Sequence, residues 1–160
     1  MQIRLTCLAV LLILTAFSGC GNGNVPLSGT VTFTDDNAPV EVGTIVFTDG
    51  KQQARGELGP GGKFKLGFVK ANDGLPKGSY KVYITGAVKK EDREVPNPRP
   101  GVSYYTETQL IDSKYESQNT SGLTFVVDGT TKTATFKVDR ATGTAAVPKN
   151  REFEGRPPRD

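Results

Sequence analysis

The sequence predicts an all-β domain: a two-layer antiparallel β-sandwich of about seven strands, with an N-terminal signal peptide before it and a disordered tail after it. Three observations predict this. Apolar residues recur at every second position in short runs. Clusters of Asp, Asn, Gly and Pro, which favour turns, separate those runs. The counts of 19 Gly and 10 Pro, with no Trp and one Met, suit a turn-rich chain and argue against a helical bundle or a coiled coil. With 160 residues, 36% hydrophobic and 23% charged, the chain suffices for one ordinary domain after its targeting and tail segments are set aside.

Residues 1–19 read as a lipoprotein signal peptide. Arg4 supplies a positive start, Leu5 to Phe17 form an apolar run, and Ser18 and Gly19 place small residues before Cys20. The run is too short to span a membrane, which needs about 20 consecutive apolar residues. Phe17-Ser18-Gly19-Cys20 resembles the bacterial lipobox, although Phe17 stands where that motif usually has Leu. The resemblance implies cleavage between Gly19 and Cys20 and a diacylglyceryl group, of the palmitate type, on the Cys20 thiol. An ordinary secretory signal with a chance cysteine is the alternative. Cys7 would leave with the signal, so Cys20 would be the only thiol of an exported chain, with no disulfide partner. Residues 20–24 then form the lipidated cysteine and a short polar tether.

The domain proper is read over residues 25–138. From Leu27 to Phe33 the odd positions hold Leu27, Gly29, Val31 and Phe33, while Ser and Thr fill the even ones. That alternation marks a half-buried strand. Six further sets follow it: Gly43-Ile45-Phe47, Ala54-Gly56-Leu58, Phe64-Leu66-Phe68, Tyr80-Val82-Ile84, Leu123-Phe125-Val127 and Ala134-Phe136-Val138. Strands with one apolar face bury it by packing two sheets together, and a closed barrel is the structural alternative. The expected inward set is Val31, Phe33, Ile45, Phe47, Phe64, Leu66, Val82, Ile84, Phe125, Val127 and Phe136.

Residues 87–122 interrupt this rhythm and read as a long loop. Its first half carries the charge run Lys89-Lys90-Glu91-Asp92-Arg93-Glu94 and three prolines, which predicts a solvated segment. Its second half holds Tyr104, Tyr105 and Tyr115, a candidate binding surface for a sugar or a protein; the competing expectation is that these rings anchor the loop to the core. Residues 139–160 lose periodicity and read as a disordered tail.

Several pieces together resemble a known family. They are Val25-Pro26-Leu27-Ser28-Gly29-Thr30-Val31-Thr32, Gly43-Thr44-Ile45-Val46-Phe47, Ala54-Arg55-Gly56-Glu57, and the turn Gly74-Leu75-Pro76-Lys77-Gly78 running into Ser79-Tyr80-Lys81-Val82. They look like the carboxypeptidase regulatory-like, or transthyretin-like (prealbumin-like), sandwich. Lys114-Tyr115 and Thr120-Ser121-Gly122-Leu123 narrow the likeness to short lipoproteins of planctomycete-type bacteria. The resemblance spans about residues 25–138 and implies a non-catalytic accessory or binding module.

The chemistry legible in the chain is sparse. No His is present, which excludes Ser/His/Asp and Cys/His catalysis and His-ligated zinc. The oxygen-rich turn Asp35-Asp36-Asn37, and Asp73 in another, could attract calcium, but these residues favour turns for backbone reasons and the spacing is not an EF-hand's. Glu91, Asp92 and Glu94 could serve a hydrolase, yet they alternate with Lys89, Lys90 and Arg93 as solvated faces do. No cofactor, metal site or catalytic residue is therefore expected. Removing residues 1–19 takes away Arg4 and no acid, leaving 19 basic and 17 acidic residues, a balance that does not suit nucleic acid. The expected partners are a membrane, through the lipid, and an envelope protein or polysaccharide. The function read from the sequence is a non-enzymatic, lipid-anchored module of the cell envelope, with the outer membrane as one location. A small envelope hydrolase or a carbohydrate-binding accessory domain is the alternative.

Overall fold

A computed structural model describes residues 23–142 and 147–152. The expected signal peptide, Cys20 and the rest of the tail lie outside the described residues. All seven anticipated strands are present, within a total of ten among the described residues. Strands β1 (Ser28–Phe33), β4 (Lys63–Lys65) and β9 (Thr133–Val138) make one sheet, in the order β4-β1-β9. Strands β2 (Thr44–Thr48), β3 (Gln53–Glu57), β5 (Gly78–Thr85) and β8 (Leu123–Val127) make the second, in the order β3-β2-β5-β8. The sheets are not closed into a barrel and pack as a β-sandwich. One pair departs from the antiparallel expectation: β1 and β9 run parallel, from Ser28 opposite Thr133 to Phe33 opposite Val138.

The core lies where the alternation placed it. Ten of the eleven expected inward residues are buried, and the eleventh, Phe125, is partly buried against them. Phe47 sits at the centre, with the rings of Phe64, Phe125 and Phe136 at 6.2, 5.9 and 5.8 Å from its own. Phe68 is the exception in its set. The backbone leaves the strand after Lys65, because the Asp73 carboxylate accepts hydrogen bonds from the N–H groups of Phe68, Val69 and Lys70 and curls the chain into a turn. Phe68 is therefore only half-buried. Val46, on the opposite face of β2, is buried between its register neighbours Arg55 and Tyr83.

Loop residues complete the core. Val25 and Leu75 exchange two backbone hydrogen bonds of 2.8 and 3.1 Å, and both are buried. Gly74 permits this approach, since at φ +79° a Cβ there would lie 2.0 Å from the Val25 carbonyl oxygen. Among the described residues every core residue falls between Val25 and Val138, so a chain beginning at residue 20 retains this core.

Residues 87–122 correct the expectation of a long loop. They fold into a hairpin of β6 (Val88–Asp92) and β7 (Val102–Gln109), followed by a 3-10 turn, Ser113–Glu116. The charge run is thus largely an edge strand, where exposed charges on both faces discourage pairing with other chains. The tail is also corrected in part: β10 (Val147–Glu152) pairs along β7 from Val147 opposite Glu107 to Glu152 opposite Val102. Pro148 is compatible with an edge position. The result is a three-stranded arm, β10-β7-β6, in which no residue of β6 or β7 is buried. Hydrogen bonds from Leu110 N–H to the Ala87 carbonyl and from Ala141 N–H to the Leu110 carbonyl tie its base.

Two outcomes follow. Phe47→Ala should cost about 3–5 kcal/mol in urea unfolding, because it removes the ring that touches both sheets. The Asp128 carboxyl, at the β8–β9 turn, is held down to about 2 by hydrogen bonds from the Thr131 and Thr130 N–H groups. Its ordinary value is about 3.9, so its contribution is complete above about pH 4 and is lost as the pH falls towards about 2. The melting temperature should drop across that window, and by less in Asp128→Ala.

Candidate functional site

The three candidate tyrosines do not share one surface. Tyr115 is carried inward by the 3-10 turn, which Asp112 caps by accepting the Lys114 N–H at 2.9 Å. Tyr115 is 6% exposed and donates its hydroxyl to Asp139 Oδ2 at 3.1 Å. Lys114 Nζ binds the same oxygen at 2.6 Å and lies 4.9 Å from the Tyr115 ring centroid. That ammonium holds the Asp139 carboxyl below the usual range, and the carboxylate raises Lys114 in turn. Tyr115 is thus an anchor between the loop and β9.

Tyr104 and Tyr105 are consecutive in β7, so their side chains leave opposite faces of the arm. The Tyr104 hydroxyl oxygen accepts the Arg99 N–H at 3.4 Å. On the other face Lys90 Nζ lies 5.4 Å from the Tyr105 ring centroid and 3.3 Å from Glu107 Oε1. Both rings are half-buried, and no residue of β6 or β7 is fully buried. Gly19 and Cys20 lie outside the described residues; the chain enters the described region beside Asn24, whose side-chain amide donates to Asp73 Oδ2 at 3.4 Å.

Of the candidate carboxylates, Asp35, Asp36, Asp73 and Glu91 are engaged by partners, whereas Asp92 and Glu94 are exposed. Arg140 joins Asp35 and Asp36 at 2.9 and 2.7 Å, and its guanidinium lies 3.7 Å from the Phe33 ring centroid. The Ala38 N–H, and then Arg140, lower the Asp36 carboxyl. Glu91 pairs with Lys89 at 2.7 Å, and as strand neighbours Glu91 and Asp92 point to opposite faces. Asp112 and Glu116 line a recess of about 360 Å³, but the first caps the 3-10 turn and the second accepts the Gln109 amide at 2.6 Å. Among the described residues no group of three or more His, Cys, Asp or Glu is placed to hold a metal.

One further concavity among the described residues is not marked by any pattern in the sequence. A groove of about 860 Å³ lies at the corner where β3 meets β4, closed by the mutual hydrogen bonds of Arg55 and Gly67 at 2.9 Å. Phe68, Val69 and Ala71 give it apolar surface, and Arg55, Lys63, Lys65 and Lys70 stand along it. The alternation Lys63-Phe64-Lys65 signalled two outward lysines, but the groove is assembled from β1, β3, β4 and residues 67–72, which no local pattern joins.

Compared with known proteins, the chain matches no family, no curated protein and no solved structure.

Tyr115→Ala should lower stability by about 3 kcal/mol as a buried ring is lost, whereas Tyr104→Ala and Tyr105→Ala should each cost under about 1 kcal/mol. Chemical unfolding of the three variants checks this ranking; equal losses would remove the distinction.

Proposed function

We propose that this protein is a lipid-anchored, non-enzymatic module of the cell envelope that holds a binding arm away from the membrane. The observation that carries the reading is the apolar run ending in Phe17-Ser18-Gly19-Cys20, with Cys20 the only cysteine after residue 19. The resemblance to carboxypeptidase regulatory-like lipoproteins supports it. So does the arrangement of the domain. The chain enters beside Asn24 and Ser28, at the end of the sandwich where β9 begins, whereas the arm leaves from Ala87 and Leu110, beyond the end of β5 and near the end of β9. An anchor joined to the chain ahead of Asn24 would thus attach at the end opposite the arm.

An accessory role is supported further by the lack of His and by the pairing of Asp35 and Asp36 with Arg140 and of Glu116 with Gln109. The incompletely buried faces of β6 and β7 suit an envelope protein or polysaccharide, with the half-buried rings of Tyr104 and Tyr105 as the stacking surfaces, one on each face. Two acyl chains retain a soluble domain where one holds it only marginally.

Mass spectrometry of the mature N-terminal peptide tests the anchor. The expected species begins at Cys20 and carries the diacylglyceryl mass. Cys20→Ser should release the protein from membranes and leave its thermal unfolding unchanged. A mature chain with an unmodified Cys20, or one starting elsewhere, would make this a plain secreted protein.

A further inference from the structure

We infer that the groove at the β3–β4 corner is a second, non-covalent membrane contact that docks the domain on an anionic phospholipid surface. The inference deepens the anchored reading and rests on it for the nearness of the lipid. Charge is the first argument. Of the side chains lining the groove, Arg55, Lys63, Lys65 and Lys70 are cationic and Glu57 alone is acidic. The Glu57 carboxylate already accepts the Thr44 hydroxyl at 3.2 Å. Lys63, Lys65 and Lys70 enter no ion pair among the described residues, and all three are exposed.

Apolar exposure is the second argument. Val69 is 73% exposed, more than any other large apolar side chain among the described residues, and it stands beside Lys70 at the groove's edge. A protruding apolar side chain flanked by lysines suits a headgroup layer, where the valine enters the acyl boundary and the ammonium groups meet phosphates. Asp73 does not cancel this. It is turned to the backbone N–H groups of Phe68, Val69 and Lys70, at 2.6, 3.2 and 3.0 Å, and so presents the loop that carries Val69 and Lys70.

Reach is the third argument. The groove includes Ser28, at the start of β1, and its loop is held to Asn24 through Asp73. Asn24 lies four positions after Cys20, a span of at most about 14 Å. An anchor on Cys20 thus keeps this corner within a short distance of the bilayer, while the arm stays at the far end.

The test uses residues 20–160 with Cys20→Ser, which keep the whole core and carry no lipid. Co-sedimentation is measured with phosphatidylcholine vesicles and with vesicles containing phosphatidylglycerol, at low and high salt. Binding is expected only to the anionic vesicles, and it should weaken with salt. The variant Lys63→Glu/Lys65→Glu/Lys70→Glu should lose at least about tenfold in affinity, and Val69→Asp should weaken binding as well. The same charge change in the arm, Lys89→Glu/Lys90→Glu/Arg93→Glu, should leave binding intact, and melting curves confirm that each variant is folded. Equal losses in groove and arm variants, or no anionic binding, would overturn the inference. So would binding to soluble polyglutamate without binding to vesicles, which makes the groove a site for acidic polymers. Because this protein has no acyl chain, vesicle binding stands or falls separately from the mass of the native Cys20 peptide.

Discussion

The contact on which the rest of the fold depends is the ring of Phe47 set among those of Phe64, Phe125 and Phe136. Phe47 and Phe125 come from the four-stranded sheet, Phe64 and Phe136 from the three-stranded one, so the cluster is where the two layers become one core. Edge-on aromatic packing of this kind adds to simple burial. It also dictates a small residue on β1. A Cβ at Gly29 would lie 2.6 Å from Phe64 Cζ, so the glycine is the space into which that ring fits. Once the rings are seated, β4 has its place beside β1, and the β3–β4 corner that shapes the groove follows.

Much of this was legible because the sandwich strands have an inside and an outside. Val31 and Phe33, or Val82 and Ile84, alternate with polar neighbours, and burial follows the alternation. The arm was illegible for the opposite reason. Neither β6 nor β7 buries a face, so Lys89 to Asp92 and Val102 to Gln109 carry no apolar period to find. Their pairing comes from cross-strand contacts such as Lys90 with Glu107 and Tyr105. The three tyrosines show the same divide. Tyr115 is buried by the 3-10 turn that carries it inward, while Tyr104 and Tyr105 lie in β7 between β10 and β6 and stay half-buried. The parallel pairing of β1 with β9 joins residues about a hundred positions apart, a relation that alternation within either strand does not encode.

A second regularity concerns the acids. Asp36, Asp49, Asp73 and Asp128 each turn a carboxylate back onto backbone N–H groups, and all four are held more acidic than usual for that reason. Asp35 and Asp139 are bound by Arg140 and Lys114. The acidic side chains of the sandwich turns are thus engaged in shaping loops, whereas Lys63, Lys65 and Lys70 are left facing outward. A formal near-balance of charge therefore conceals an uneven surface, and the groove lies on its basic side.

The parallel pairing of β1 with β9 has a mechanical consequence. A pull between the N-terminus and the arm enters through Val25 and Ser28 and leaves through the opposite end, where Asp139 and Arg140 join the arm's base. The two strands are then drawn in opposite directions along their length. All of the bonds in their six-residue register resist together in shear instead of opening one at a time. Under such a load the rate of unfolding, not the equilibrium stability, sets how long the domain holds. The topology is that of a small load-bearing link: tension applied between its two ends meets the strand geometry best able to bear it.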